Sequence, residues 1–214
     1  MLKPYELYNL IIGSNYEKHG KDVDYVIKKD EEDKRVYVLF LGSNSKQDWK
    51  SNFNFWPKPA KPYKNMKKRW YAHRGFVEAY QSIQRNLLTE IFTIKANNPD
   101  YDILIAGHSF GGAIAQLCFE DCLYNSSLES AYKFLCFTYG SPKVIYSRWK
   151  RKQLKRFFII NYENGSDIVP KLPPFAKVVG KMHIGENFNF FKCFTDKYHT
   201  GYGDSDLYGG CLKI

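Results

Sequence analysis

The chain has 214 residues, of which 44% are hydrophobic and 25% charged, and its formal net charge at pH 7 is +10. This length and composition predict a globular chain with one domain over residues 1–214, and the absence of any apolar run near ~20 residues excludes a membrane-spanning helix. The positive charge favours an anionic partner, which can be nucleic acid, a membrane surface or an acidic substrate.

The apolar run within residues 1–12 is too short for a secretory signal, and the five cysteines then suggest free thiols in a reducing compartment. We therefore expect a cytoplasmic protein.

Cys118 and Cys122 lie four residues apart on a predicted helix, as a metal-ligand pair would. No CxxC motif or histidine lies nearby, which favours the alternative that both are buried as small apolar side chains. No cofactor or metal is expected.

The predicted elements alternate between strands and helices along the chain. Apolar residues at steps of three and four predict an amphipathic helix over 76–95. The other elements, in chain order, are a strand hairpin at 22–29 and 35–42, a strand at 102–107, a helix from about 112 to 124, a strand at 133–140, a basic helix at 148–156 and a strand at 157–162. This alternation predicts an α/β fold with a mostly parallel sheet flanked by helices.

Gly107-His108-Ser109-Phe110-Gly111 has the form G-x-S-x-G between a predicted strand and a predicted helix. In a nucleophile elbow, side chains at Gly107 and Gly111 would collide with the adjoining strand and helix, so glycine is required at both positions. Ser109 is then the candidate nucleophile, and the amide of Phe110 points to where an oxyanion would form. The alternative is a glycine-rich turn without chemistry, or a phosphate-binding loop.

A serine nucleophile needs a base and an acid. On α/β folds with a nucleophile elbow, the serine comes first in the chain, the acid second and the histidine last. Asp167 lies in a loop directly after the predicted strand 157–162 and is the candidate acid. Two histidines follow it, His183 and His199, and the order of residues leaves both open as the base.

Several separated segments between residues 36 and 203 resemble the fungal-type, or class 3, lipases of the α/β-hydrolase superfamily. The segments are LFLGSNSKQDWKSNF (39–53), AHRGFVEAY (72–80), GHSFGGAIAQL (107–117), FTYGSPKV (137–144) and NYENGSDIVPKLPP (161–174). Their order along the chain also follows the family. The resemblance implies an α/β-hydrolase fold and an enzyme that cleaves carboxylic esters of lipids.

Site residues also follow from this resemblance. Asp167 takes the position of the family's aspartate, and the backbone amide of Ser43 takes that of the second oxyanion donor. YHTGYG (198–203) is similar to the family's terminal H-x-x-Y motif, which carries the base, and this favours His199. KMHIGE (181–186) is similar to a segment whose histidine is not the base. Leu41 stands where the family usually has arginine.

The stretch at 51–76 lies where the family has its lid or access segment, and it mixes prolines and basic residues with aromatic residues. The candidate interface residues among these are Phe53, Phe55, Trp56 and Trp70. Two interpretations are open. The aromatic residues contact an anionic bilayer, or they fold back onto the core. A second basic cluster at 147–156 is better interpreted as a solvated helix face than as a partner site.

We therefore predict a lipase that cleaves acylglycerols through Ser109, His199 and Asp167. The alternatives are a phospholipase A1-type activity on anionic phospholipid, and a non-catalytic basic module that binds lipid headgroups or nucleic acid. No nucleic-acid-binding motif is present, so a nucleic-acid partner is not expected.

Overall fold

The computed structural model describes residues 2–16, 18–20, 23–41, 59–60, 71–173, 178–193 and 195–209. Their α-helices are α1 (Pro4–Gly13), α2 (Arg74–Asn97), α3 (Phe110–Asn125), α4 (Leu128–Ala131), α5 (Arg148–Leu154) and α6 (Asp196–Thr200). Their strands are β1 (Lys18–Gly20), β2 (Val23–Asp30), β3 (Arg35–Phe40), β4 (Pro59–Ala60), β5 (Ala72–His73), β6 (Asp102–His108), β7 (Phe134–Tyr139), β8 (Phe158–Asn164) and β9 (Lys181–Ile184). Short 3-10 turns cover Val169–Lys171, Phe190–Lys192, Gly201–Gly203 and Ser205–Tyr208.

Within these described ranges, seven strands form one sheet in the order β1-β2-β3-β6-β7-β8-β9. The pairs β1–β2 and β2–β3 are antiparallel, and every pair from β3 to β9 is parallel. The predicted hairpin and the predicted mostly parallel sheet are therefore confirmed. Because parallel strands end at one edge, the loops that follow β6, β7 and β8 meet there.

The alternating side chains of the strands build a hydrophobic core on each face of the sheet. In β3, Val36, Val38 and Phe40 face the layer formed by α2 and α3. Tyr37 and Leu39 face the opposite layer, where α1 and the C-terminal turns pack. This second layer was not predicted, because the residues on which α1 packs lie near the other end of the chain.

Several predicted bounds differ from the structure by one or two residues, and two differences concern the surroundings of the site or a predicted surface. Helix α3 begins at Phe110, two residues before its predicted start, so that it follows Ser109 directly. The basic helix α5 is not only a solvated face, since Lys150 forms an ion pair with the buried carboxylate of Glu120. Arg151 also donates from Nη1 to two backbone carbonyls, of Ile145 at 2.8 Å and Tyr146 at 2.7 Å.

In the part of the chain that is described, no helix combines the length and apolar character that crossing a membrane requires.

Candidate active site

Ser109 occupies the turn between β6 and α3 with φ 54° and ψ −122°, a backbone conformation that is costly for any residue with a side chain. A Cβ on Gly107 would lie 2.3 Å from the carbonyl oxygen of Gly111, and one on Gly111 would lie 2.4 Å from that of Phe40. Both flanking glycines are therefore required by close backbone approaches, as the sequence predicted. The turn holds the Ser109 hydroxyl at the carboxyl edge of the sheet.

The structure brings the three predicted residues into one hydrogen-bonded series. Nε2 of His199, on α6, lies 2.8 Å from Oγ of Ser109. Its Nδ1 lies 3.0 and 3.1 Å from the two carboxylate oxygens of Asp167. A carboxylate only accepts, so Nδ1 carries the ring proton and Nε2 is left to accept the proton of the serine hydroxyl.

The carboxylate of Asp167 is buried and held by two further donors. The hydroxyl of Tyr202 donates to Oδ2 at 2.7 Å, and the backbone amide of Val169 donates to Oδ1 at 3.0 Å. The same Tyr202 hydroxyl accepts from the amide of Asn164 at 3.0 Å, which fixes its direction. These two hydrogen bonds hold the carboxylate in a fixed direction, toward the ring of His199.

Gly140, directly after β7, allows Asp167 and His199 to meet. Its φ is +57°, and a Cβ there would lie 2.7 Å from Oδ2 of Asp167 and 3.0 Å from Nδ1 of His199. No side chain fits between β7 and this pair.

Two residues on the second layer support the segment that carries His199. Nε2 of His108 donates to the backbone carbonyl of His199 at 2.7 Å. The hydroxyl of Tyr8, on α1, donates to the next carbonyl, that of Thr200, at 3.0 Å. The Tyr8 ring also packs edge-on against His108, with centroids 5.3 Å apart.

Gly140, Tyr202 and Tyr8 were not predicted as site residues. Gly140 and Tyr202 do lie within segments that carried the resemblance, so the sequence held a signal for both. The sequence held no signal for Tyr8, because the hydrogen-bond partner of its hydroxyl is 192 residues away in the chain.

The remaining predicted positions divide into three groups. Phe110 is the first residue of α3, directly after Ser109, where its amide lies at the positive end of the helix dipole. His183 is exposed on β9 and its Nε2 donates to the carbonyl of Glu186 at 2.8 Å. Ser43 and the interface residues Phe53, Phe55, Trp56 and Trp70 lie outside the described residues.

The surroundings of Cys118 and Cys122 favour a packing role over a metal site. Cys118 and Cys122 are fully buried in the core, and burial raises the pKa of the Cys122 thiol well above its usual range, which opposes the thiolate that a metal needs. Across the ranges that the structure describes, no group of histidine, cysteine and acidic residues is arranged to hold a metal ion.

Comparison with known proteins identifies a family and relatives that are similar to this chain. The profile of the family described as lipase (class 3) matches residues 37–177. A lipase of Rhizomucor miehei is 29% identical over 170 residues, covering 78% of this chain and 45% of the relative. A secreted mono- and diacylglycerol lipase of Fusarium solani is 28% identical over 158 residues, covering 72% of this chain and 44% of the relative. This chain thus spans about half the length of these curated relatives.

A solved structure of the Rhizomucor miehei triacylglyceride lipase superposes with a TM-score of 0.66 at 26% identity. The superposition covers 76% of this chain and 62% of the lipase. A mutant of a Penicillium cyclopium protein covers 94% of this chain at 20% identity with a TM-score of 0.67, and this second likeness shows the fold alone.

Proposed function

Because this chain belongs to the class 3 lipase family, we propose that it hydrolyses carboxylic esters of lipids with Ser109 as nucleophile, His199 as base and Asp167 as acid. The observation that carries the proposal is the continuous series from Ser109 Oγ through both ring nitrogens of His199 to the carboxylate of Asp167. The predicted family membership and α/β-hydrolase fold are confirmed by the same comparisons.

The geometry accounts for each step of an acyl transfer. As Ser109 Oγ attacks the ester carbonyl, its proton passes to Nε2 of His199, which lies 2.8 Å away. The ring becomes a cation, and the adjacent carboxylate of Asp167 stabilises it. The same Nε2–H then gives its proton to the departing alcohol, and a water molecule activated by His199 releases the acid from the serine.

The negative charge that forms on the carbonyl oxygen requires donors at the same edge of the sheet. We assign the amide of Phe110 to this role, since it is the first amide of α3 and follows the nucleophile directly. The amide of Ser43 is the proposed second donor on the family resemblance.

Acylglycerols and phospholipids share this ester chemistry, so the proposal covers both. Hydrolysis assays on each class identify the preferred substrate.

The four cysteines of the described ranges are buried and free, which supports a reducing, cytoplasmic location as a further part of the proposal.

A fluorophosphonate probe tests the function against the non-catalytic alternative. An organised triad is labelled on Ser109, and intact mass with peptide mapping identifies the modified residue. A binding module without a working triad stays unlabelled, and that result would overturn the proposal. Rates on p-nitrophenyl esters, acylglycerol emulsions and phospholipid vesicles then rank the substrates.

A further inference from the structure

Three exposed phenylalanines lie within four residues of each other, just before the segment that carries His199. Phe188, Phe190 and Phe191 are 40, 63 and 94% exposed. Rings so exposed are costly in water, and their concentration at one place indicates an interaction surface. We call residues 188–191 the aromatic tip.

The aromatic tip is fixed to the loop of the candidate acid. The amide of Asn189 donates to Oγ of Ser166 at 2.8 Å, and Ser166 immediately precedes Asp167. Because Asp167 lies at the carboxyl edge of the sheet, the tip lies at the same edge as the Ser109 hydroxyl. The surface is therefore on the side of the molecule where a lipid ester must arrive.

The backbone behind the tip is braced. The side chain of Asn189 accepts from the amide of Phe191 at 2.9 Å, and Cys193 closes the turn by burying its thiol. Lys192 forms a 3.0 Å ion pair with Glu186, whose carboxylate also accepts from the hydroxyl of Tyr198. A turn held at both ends presents its rings without the entropy cost of ordering a loop on contact.

A lysine lies beside the tip, and a second one is close to the first. Lys171 Nζ lies 5.3 Å from the centre of the Phe188 ring, and it shares the single carboxylate of Glu163 with Lys181. Two lysines on one carboxylate leave a net positive charge there, in a chain whose total is +10. Lysines beside aromatic rings suit an anionic lipid–water interface, where the rings insert and the ammonium groups meet the headgroups.

We propose that the aromatic tip is a membrane-docking surface that inserts Phe190 and Phe191 into an anionic lipid–water interface and so brings the Ser109 edge to its substrate. The inference deepens the proposed lipid hydrolysis by naming the surface that meets the lipid. It does not require turnover, so binding and catalysis can be measured separately.

The test uses the full chain carrying Ser109→Ala, so that no lipid is consumed, and co-sedimentation with vesicles of phosphatidylglycerol and phosphatidylcholine. Phe190→Ser with Phe191→Ser should lower vesicle partitioning about tenfold or more, because two inserted rings are lost. Phe190→Leu with Phe191→Leu should restore most of it. Partitioning of the parent should also be weaker on pure phosphatidylcholine and at high salt.

The matched control replaces exposed side chains at the other end of the strands. Leu128 and Tyr132 are 62 and 55% exposed and precede β7, so Leu128→Ser with Tyr132→Ser should leave partitioning unchanged. With Ser109 intact, the Phe190/Phe191 serine variant should hydrolyse a short soluble ester at the parental rate. If the probe does not label Ser109, the catalytic proposal is wrong, but the docking inference is unaffected because vesicle binding is measured without turnover.

Equal vesicle binding by parent and serine variant would overturn the inference, as would equal losses in the variant and its control. A third outcome would also overturn the inference. If the serine variant binds vesicles like the parent but elutes at a different volume in size-exclusion chromatography without lipid, the tip is a contact between copies of this chain.

Discussion

The ring of His108 lies beside that of His199, with centroids 4.7 Å apart, and its Nε2 donates to the His199 backbone carbonyl at 2.7 Å. Burial, and secondarily the nearby His199, lower the pKa of His108 to about 3. His108 is therefore neutral near pH 7 and holds the segment of the candidate base in place. Being neutral, it would not repel the cation that the proposed mechanism forms on His199.

The depressed pKa of His108 predicts a loss of stability in acid. Between the ordinary value of 6.5 and about 3, the unfolded chain binds a proton at this site that the folded chain does not. Its contribution to the free energy of unfolding thus falls as pH falls, by roughly 1.4 kcal/mol per pH unit in that window. His108→Gln should make the fall shallower in urea titrations from about pH 7 to 4. His183→Gln, which changes an exposed histidine, is the control and should keep the parental slope.

Tyr202→Phe should lower kcat about 10- to 100-fold with little change in KM, because the hydroxyl that orients Asp167 is fully buried, away from the surface where substrate binds. The buried amide of Asn164 also loses its acceptor, which should cost about 1–3 kcal/mol of stability. Tyr208→Phe removes a buried hydroxyl that donates to the Tyr202 carbonyl and not to Asp167. If both variants lose kcat equally, the hydrogen bond to Asp167 has no special role.

Gly140→Ala should nearly abolish turnover and destabilise the fold, since the new methyl group would overlap Asp167 and His199 and the residue has φ +57°. Gly209 provides a matched position, with φ +49° and, among the described residues other than its chain neighbours, no heavy atom within 4 Å of where a Cβ would lie. Gly209→Ala should therefore show only the backbone cost of about 1 kcal/mol and full activity. Ester kinetics and thermal unfolding of both variants separate steric overlap from backbone strain.

His199→Ala should lower kcat on a soluble ester by several orders of magnitude, as removal of a triad base does. His183→Ala should retain nearly parental kcat, because His183 contacts the carbonyl of Glu186 on an exposed edge strand. The reverse ranking in steady-state assays of the two folded variants would contradict the assignment of the base.

Replacing Ser109 tests the nucleophile and its strained turn together. Ser109→Ala and Ser109→Gly should both lose turnover and probe labelling. The glycine variant should be the more stable of the two by about 1 kcal/mol, because glycine tolerates φ 54° without a Cβ penalty. Chemical denaturation compares them, and unchanged turnover in either folded variant would end the serine mechanism.

Features that depend on short stretches of chain could be predicted from the sequence alone. The elbow can be identified within five residues because two close backbone approaches exclude every side chain at Gly107 and Gly111. The α/β class could be predicted because apolar strands alternate with an amphipathic helix along the chain. The spacing of apolar residues within each element indicates whether it is a strand or a helix. The place of Asp167 directly after a predicted strand made it the candidate acid, and the resemblance then supported Asp167 and favoured His199 through motifs of similar length.

Which distant groups meet depends on how the elements pack in three dimensions. His183 lies on β9, three strands from β6 and so about 14 Å across the sheet from the nucleophile, whereas the C-terminal segment returns His199 to the serine. Tyr8 reaches Thr200 across 192 residues because α1 and that segment pack on one face of the sheet. Such contacts depend on strand order and on the packing of layers, and no local pattern of residue types specifies either.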